Sequence, residues 1–342
     1  MGKISSFLLF ISIICSCNHK TEEKIFPEKY NLKGENIGPK NFFLRPVRCI
    51  IDSSFILVLD SKTDCFFHIY TLDFKLLKSL VNQGRGPEEI ISPHISQQDF
   101  IHNRRIVYYD PYQNIIGELY FSDIDSFKIS QHIKRKVPDN IINIQNILFT
   151  GNDKFVARGC GNAGKMCFFN LKDFTYKFTD FLPDVKYEKS KADFFDMFNG
   201  ELAFNSLRNS VVCSNRYFNQ LELYTVDGEL IKEIRAGKLQ NPFQENYLYC
   251  YNAVYSTTDY IFASYLGVNM KDLTPARMKN KCSIIQVFDW EGNPIMELNL
   301  DRLTGYFAVD NNLEFIICID ETNHDQPLVR YEIKGLLKQH NN

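Results

Sequence analysis

Histidines, cysteines and a few oxygen- or glycine-rich segments are the places where this sequence could do chemistry. The histidines are His19, His68, His94, His102, His132, His324 and His340. None stands in an HxH, HExxH or other close pair, so a metal-assisted hydrolase has little support. No G-x-S-x-G nucleophile elbow occurs. Gly159-Cys160-Gly161-Asn162-Ala163-Gly164-Lys165 matches both G-x-G-x-x-G and the start of a P-loop. Those motifs cradle phosphate only between a strand and a helix. Here the strand-like MCFFNL follows, and Met166 stands where a P-loop needs Ser or Thr. The segment therefore reads as a glycine-rich hairpin loop. Asp320-Glu321-Thr322-Asn323-His324-Asp325 is rich in oxygen but lacks the EF-hand spacing and its glycine, and reads as a solvated loop. No cofactor and no metal site is expected.

Beyond Cys15 and Cys17, the cysteines are Cys49, Cys65, Cys160, Cys167, Cys213, Cys250, Cys282 and Cys318. No CxxC or CxxxC pair occurs among them, so the spacing does not suggest zinc. Most sit in apolar runs such as VVCS and FIICID, where a cysteine acts as a small buried hydrophobe. Cys160 and Cys167 flank the glycine-rich turn and are a candidate disulfide. Such a bridge would contribute about 2–3 kcal/mol in the entropic picture. The alternative is two reduced thiols.

These residues must be positioned by something, and composition points to β structure. There are 29 Phe and 18 Tyr against one Trp, and aromatic residues favour strands. Lys+Arg number 39 and Asp+Glu 41, a balance without the basic footprint of general nucleic-acid binding. One unit then recurs: polar turn, apolar strand, polar loop, second strand, turn. Its paired strands read FILVLD and CFFHIYTLD, RIVYYD and IIGELYFSD, KFVAR and MCFFNLKD, SVVCSN and QLELYTVDGE, YIFASY and CSIIQVFDWEG, LEFIICID and LVRYEIKG. The first strand of each pair ends at Asp60, Asp110, Arg158, Asn215, Tyr265 and Asp320, steps of 48–57 residues. Shorter apolar stretches before and after each pair, such as PVRCII and KLLKSLV, make four strands per unit. Six such units predict an all-β fold, a six-bladed β-propeller of four-stranded antiparallel blades. Two β-sandwiches are the alternative. The sixth unit has too little chain for its outer strand, and Ile25–Leu32 is expected to supply it from the N-terminus, removing exposed edges.

Residues 1–17 read MGKISSFLLFISIICSC, with Lys3 before an apolar run too short to span a bilayer. Ile14-Cys15-Ser16-Cys17 resembles the bacterial lipobox. That resemblance implies lipidation of Cys17 and a membrane partner through the anchor. Asn18 after it favours the outer membrane by analogy. The expected layout is a signal peptide over 1–16, a polar tether over 17–24, the propeller over 25–335 and a tail over 336–342. Gly84-Arg85-Gly86-Pro87-Glu88-Glu89 follows the fourth strand of the first unit. With the lipobox and the six repeats, it resembles the six-bladed, TolB-like propeller lipoproteins of Gram-negative bacteria. Members commonly carry a G-x-G-P-G-E-F-like loop there; here Glu88 replaces the last Gly and Ile90 the Phe. The resemblance implies a tethered propeller, periplasmic or surface-exposed. It carries no catalytic residue onto this sequence, since a propeller supports many functions.

In a propeller, loops between second and third strands share a face with the blade-to-blade connections. That face, here the top, is expected to hold Asp60, Arg85, Asp110, Tyr112, Arg158, Asn215, Arg216, Tyr265 and Asp320 as candidate ligand-binding residues. It would also hold Leu266–Lys281, where Lys271, Arg277, Lys279 and Lys281 face only Asp272. The KSKADFFDMF segment could form a short amphipathic helix docking on a blade or a partner. The leading expectation is an envelope binding or scaffold protein for a protein partner or a small anionic or sugar-like ligand. The competing one is a hydrolase or lyase on a carbohydrate or lactone. There Asp60, Asp110, Arg158, Asn215 and Asp320 would converge near the central channel, where crowded aspartates raise one another's pKa. A purely structural envelope role is a third reading.

Overall fold

The computed structural model describes residues 25–141, 144–159, 164–179, 181–186, 197–244, 246–278 and 280–337. Six sheets repeat in chain order around one axis. The first blade holds β3 (Pro46–Asp52), β4 (Phe55–Asp60), β5 (Cys65–Thr71) and β6 (Leu76–Asn82). The second holds β7 (Arg105–Asp110), β8 (Ile115–Asp123) and β9 (Lys128–Lys136). The third holds β10 (Asn146–Gly151), β11 (Lys154–Arg158), β12 (Met166–Asn170) and β13 (Tyr176–Phe178). The fourth holds β14 (Leu202–Asn205), β15 (Ser210–Ser214), β16 (Leu221–Thr225) and β17 (Leu230–Ile234). The fifth holds β18 (Leu248–Ser256), β19 (Tyr260–Asn269), β20 (Ile284–Asp289) and β21 (Pro294–Asn299). The sixth holds β22 (Thr304–Val309), β23 (Phe315–Asp320) and β24 (Leu328–Glu332). Apolar and aromatic side chains from facing sheets fill the spaces between blades. Val58 and Tyr70 of the first blade, for example, share a buried cluster with Ile317 and Val329 of the sixth.

The second blade lacks a regular innermost strand. Pro93 cannot donate a ladder hydrogen bond, and a single bridge, His94 to Tyr109, stands in its place. The Gln98 side-chain amide substitutes for backbone. It donates to the Val107 carbonyl (2.9 Å) and accepts from the Val107 N–H (2.7 Å).

Closure by the N-terminus occurs, with a different register from the expected one. Ile25–Leu32 does not complete the sixth blade. Its β1 (Glu28–Asn31) adds a fifth, parallel strand to the fifth blade, beside β21. The outer strand of the sixth blade is the short β2 (Glu35–Ile37), antiparallel to β24. The crossing between them is possible because Gly34 lies against β24. A Cβ there would sit 2.4 Å from Val329 Cγ1. Arg302 clasps the crossing, donating to the Asn36 side chain (2.8 Å) and the Gly34 carbonyl (3.2 Å). Asp301 holds it from the other side, accepting from Gly34 N–H (3.3 Å) and Tyr331 Oη (2.9 Å). Outer strands run from the bottom face to the top, and β1 is parallel to one. β1 therefore begins at the bottom rim.

Hairpin β18–β19 overruns expectation. Tyr265 is not a strand end: β19 continues to Asn269, pairing Val268 and Asn269 with Tyr249 and Leu248. A bulged ladder thus stands above the top face, capped by a short helical turn over Met270–Asp272.

Candidate functional site

The innermost strand of each blade turns alternate side chains toward the axis, and those near its start meet at the top of the channel. Arg48 of the first blade and Glu201 of the fourth, on opposite sides of the ring, form an ion pair at 2.5 Å. Asn146 of the third blade donates to the same Glu201 oxygen. Tyr306 of the sixth donates to the other at 3.1 Å. The Arg48 guanidinium lies over the Tyr306 ring, 3.5 Å from its centroid, a cation–π contact. Ser96 of the second blade donates to the Asn146 side-chain oxygen at 2.5 Å. Five blades thus contribute to one polar plug. Lower down, Gln97 of the second blade brackets Ser256 of the fifth, donating to its carbonyl (2.6 Å) and accepting from its N–H (3.0 Å).

Electrostatics follow from this packing. Burial would lower the Arg48 pKa, but Glu201 and Tyr306 outweigh it and hold the guanidinium more firmly charged than usual. Arg48 works to lower the Tyr306 pKa; Glu201 and burial dominate and push it up to about 12. Burial and the nearby Arg48 lower the pKa of His94 and favour a neutral imidazole.

Above the plug, Arg216 lies 5.4 Å over the Tyr249 ring. Its Nε is buried with no hydrogen-bond partner among the described residues. Tyr217 meets Tyr249 edge-on at 6.0 Å and Tyr247 at 5.8 Å. The mouth is therefore aromatic, with one arginine beyond the Arg48–Glu201 pair. Between the sixth and first blades the top face opens into a cavity of about 540 Å³ that reaches down to Tyr306.

The expected strand-end residues lie on the top side, as the repeat implied, but in the second strand out from the axis. They do not converge on the channel. Asp60 accepts from Leu44 (2.8 Å), Arg45 (3.0 Å) and Lys62 (3.0 Å) backbone N–H groups. Asp110 does the same for Ile91 (2.9 Å) and Tyr112 (3.0 Å). Asp320 accepts from Thr322 N–H (2.8 Å) and from Arg302 (3.4 Å). Each carboxylate thus fastens the incoming inter-blade connection or its own loop, as an N-cap does. Tyr112 is 76 % exposed and Arg85 is exposed on its loop. Tyr265 packs on Tyr251 at 5.5 Å. Arg158 and Asn215 do meet, at 2.8 Å, fully buried between the third and fourth blades.

Beside them lies a pair the sequence did not announce. Lys165 and Glu222 are 2.5 Å apart and wholly buried. The ammonium faces the Phe181 ring at 4.4 Å and those of Phe198 and Tyr224 at 5.9 Å. Burial lowers the Lys165 pKa to about 8 although Glu222 opposes the shift. Burial alone would raise the Glu222 pKa, but Lys165 and Arg158 outweigh it and the net direction is down. Lys165 is thus the last residue of the P-loop look-alike, and a strand, β12, follows it.

The loop behind the sequence resemblance has a physical basis. The Glu89 carboxylate folds back to accept from Gly86 N–H at 2.7 Å. A Cβ on Gly84 would lie 1.9 Å from a Glu89 oxygen. Both glycines leave room for that carboxylate. In the long loop of the fifth blade, Arg277 pairs with Asp272 and Lys271 donates to Asn246 at 2.7 Å. Its basic surplus is smaller than the composition suggests. Cys167, one half of the candidate disulfide, is a free thiol packed among Phe155, Ala157 and Phe169. Its side chain belongs to the apolar interior, and burial pushes its pKa up to about 12. Cys160, Cys17, Lys279 and most of the KSKADFFDMF segment lie outside the described residues. Among the described residues, no three His, Cys, Asp or Glu side chains form a metal-binding group.

Arg48, Asn146, Glu201, Tyr249 and Tyr306 were missed in the sequence. Their signal was one polar or aromatic residue near the start of each unit's first apolar stretch, as in PVRCII, NILFTG and TGYFAV.

Fold and site together define a closed six-bladed propeller with a plugged channel and an aromatic, cationic mouth. The profile of the TolB-like 6-blade propeller-like family matches residues 25–312, and the chain belongs to that family. No curated protein matches the sequence. Among solved structures, a DUF4221 family member from Bacteroides vulgatus is similar, with a TM-score of 0.60 and 10% identity over 88% of this chain and 97% of that one. A Bacteroides fragilis protein described as exported has a TM-score of 0.53 and 12% identity, over 90% and 99% of the two chains. At these identities the likeness is one of fold.

Proposed function

We propose that this chain is an envelope protein, lipid-anchored through Cys17, that binds a small anionic or sugar-like ligand at the mouth of its channel. The observation that carries the binding reading is the mouth itself. Arg216, with a buried Nε that has no partner among the described residues, stands among Tyr217, Tyr249 and Tyr306 above a plug that closes the channel. An unpaired buried donor is costly, and an acceptor from a ligand would satisfy it. Tyrosine faces suit a sugar or a flat anion. The plug carboxylate, Glu201, and the strand-end aspartates already accept several hydrogen bonds each, which favours binding over hydrolysis. The exported description of the Bacteroides fragilis neighbour supports an envelope location. An anchor at Cys17 would join the propeller at its bottom rim and leave the top face turned away from the membrane.

The test is native mass spectrometry of the protein released gently from its own envelope, beside Arg216→Ala. The expected result is a retained small-molecule mass on the wild type that Arg216→Ala loses. A wild type that carries nothing and whose Tm no envelope metabolite fraction raises would end this reading. Fatty-acid labelling that is unchanged in Cys17→Ala would end the anchor.

A further inference from the structure

We propose that the cavity between the sixth and first blades binds a short zwitterionic peptide. Its carboxylate lies against Arg45 and Lys62 and its ammonium against Glu321. The inference rests on the reading of the top face as a binding surface. At about 540 Å³ the cavity falls inside the range of small-ligand sites, roughly 300–1,000 Å³, enough for a peptide of about three residues. Its two walls carry opposite charge. Arg45 and Lys62 project from the first blade, and Glu321 from the sixth, beside His324 and the Asp320 already engaged by Thr322 and Arg302. Among the described residues none of the Arg45, Lys62 and Glu321 side chains makes a hydrogen bond or ion pair within the protein.

Glu321 is also placed rather than merely present. Its carboxylate lodges against Gly305, where a Cβ would come within 2.3 Å of Oε1. That position is beside Tyr306, whose hydroxyl is fixed by Glu201 at 3.1 Å. Val47 and Ile319 supply the apolar surface between the charged walls. A neutral sugar in this space would strip water from Glu321 and Lys62 and return no partner, which is costly. A simple anion would answer only one wall. A peptide with both termini free answers both.

The experiment is isothermal titration of the mature protein with trialanine and with its N-acetylated, C-amidated and doubly blocked forms. Trialanine is expected to bind with a Kd of roughly 10–500 µM, and each blocking group to weaken it about tenfold or more. In Glu321→Gln the free and N-acetylated peptides should bind alike. In Lys62→Ala the penalty for amidation should shrink, and with Arg45→Ala added the free and amidated peptides should bind alike. These are surface positions, so the variants are expected to fold, which circular dichroism checks. Gly305→Ala is a second route: it displaces the Glu321 carboxylate without removing it and should also erase discrimination against N-acetylation. Binding of the doubly blocked peptide as tightly as the free one would overturn the proposal. So would no heat from any peptide at about 5 mM. If that silence coexists with an Arg216-dependent envelope ligand, only this inference falls. If neither ligand is found, both readings fall.

Discussion

Removing one member of the buried Lys165–Glu222 pair should be far more damaging from one side than from the other. Glu222→Gln leaves a buried ammonium without its carboxylate, with a neutral amide and the rings of Phe181, Phe198 and Tyr224 beside it among the described residues. An uncompensated buried charge costs about 3–5 kcal/mol. With an unfolding entropy near 2.1 cal/mol/K per residue, a propeller of this size should lose roughly 5–8 °C in Tm. Lys165→Met leaves Glu222 better served. Tyr224 Oη still donates at 2.6 Å and Asn215 Nδ2 at 3.1 Å, and Arg158 remains nearby. Its expected cost is about 1–2 kcal/mol, or roughly 2–3 °C. The pH dependence has a definite sign. In the folded protein burial lowers the Lys165 pKa to about 8, and Glu222 is the main group that opposes that shift. Without that group it falls further below the unfolded value. The unfolded chain then binds more protons through that window, so stability rises with pH. The Glu222→Gln deficit should therefore shrink between pH 7 and about 9. Scanning calorimetry at both pH values is the assay. Equal losses in the two variants, or a Glu222→Gln deficit that grows with pH, would refute the reasoning.

Arg302→Ala removes the clasp on the N-terminal crossing, so amide exchange in β1 and β2 should accelerate well before that in β11 or β12; uniform acceleration would deny it a local role. Gly84→Ala should cost about 1 kcal/mol by expelling the Glu89 carboxylate. In a Glu89→Ala background the same change should be nearly neutral, which a double-mutant cycle in urea measures. Cys282 is exposed while Cys49, Cys167 and Cys318 are buried free thiols. Maleimide should therefore label Cys282 in the native protein and the other three only in denaturant, as read by peptide mapping.

Much of the architecture was legible because the paired middle strands of each blade are apolar runs that stop abruptly. FILVLD and RIVYYD match β4 and β7 residue for residue, each ended by an aspartate that turns back to hold backbone N–H groups. Elements that depend on neighbours were harder. Glu35–Ile37 is three residues without apolar alternation, and it becomes a strand only because β24 offers an unpaired edge. Beyond Tyr265, Leu266–Asn269 reads as a loop because it contains Gly267 and a terminal Asn; the overhanging β18 pairs with it, and Gly267 at φ +60° takes up the bulge between them. The plug was invisible for a different reason. Arg48 and Glu201 are 153 positions apart, and only closure of the ring brings them together. Asp60, Asp110 and Asp320 drew notice as strand ends, yet their radius places them one strand away from the channel.

Hydrogen–deuterium exchange of the mature protein, with and without the small-molecule extract of its own envelope, reads out whether a ligand occupies the channel mouth. Binding at the mouth predicts protection confined to the top face, at 44–48, 216–217, 247–249 and 304–306, and its loss in Arg216→Ala. Protection on the bottom turns alone, or none at saturating extract, would contradict it.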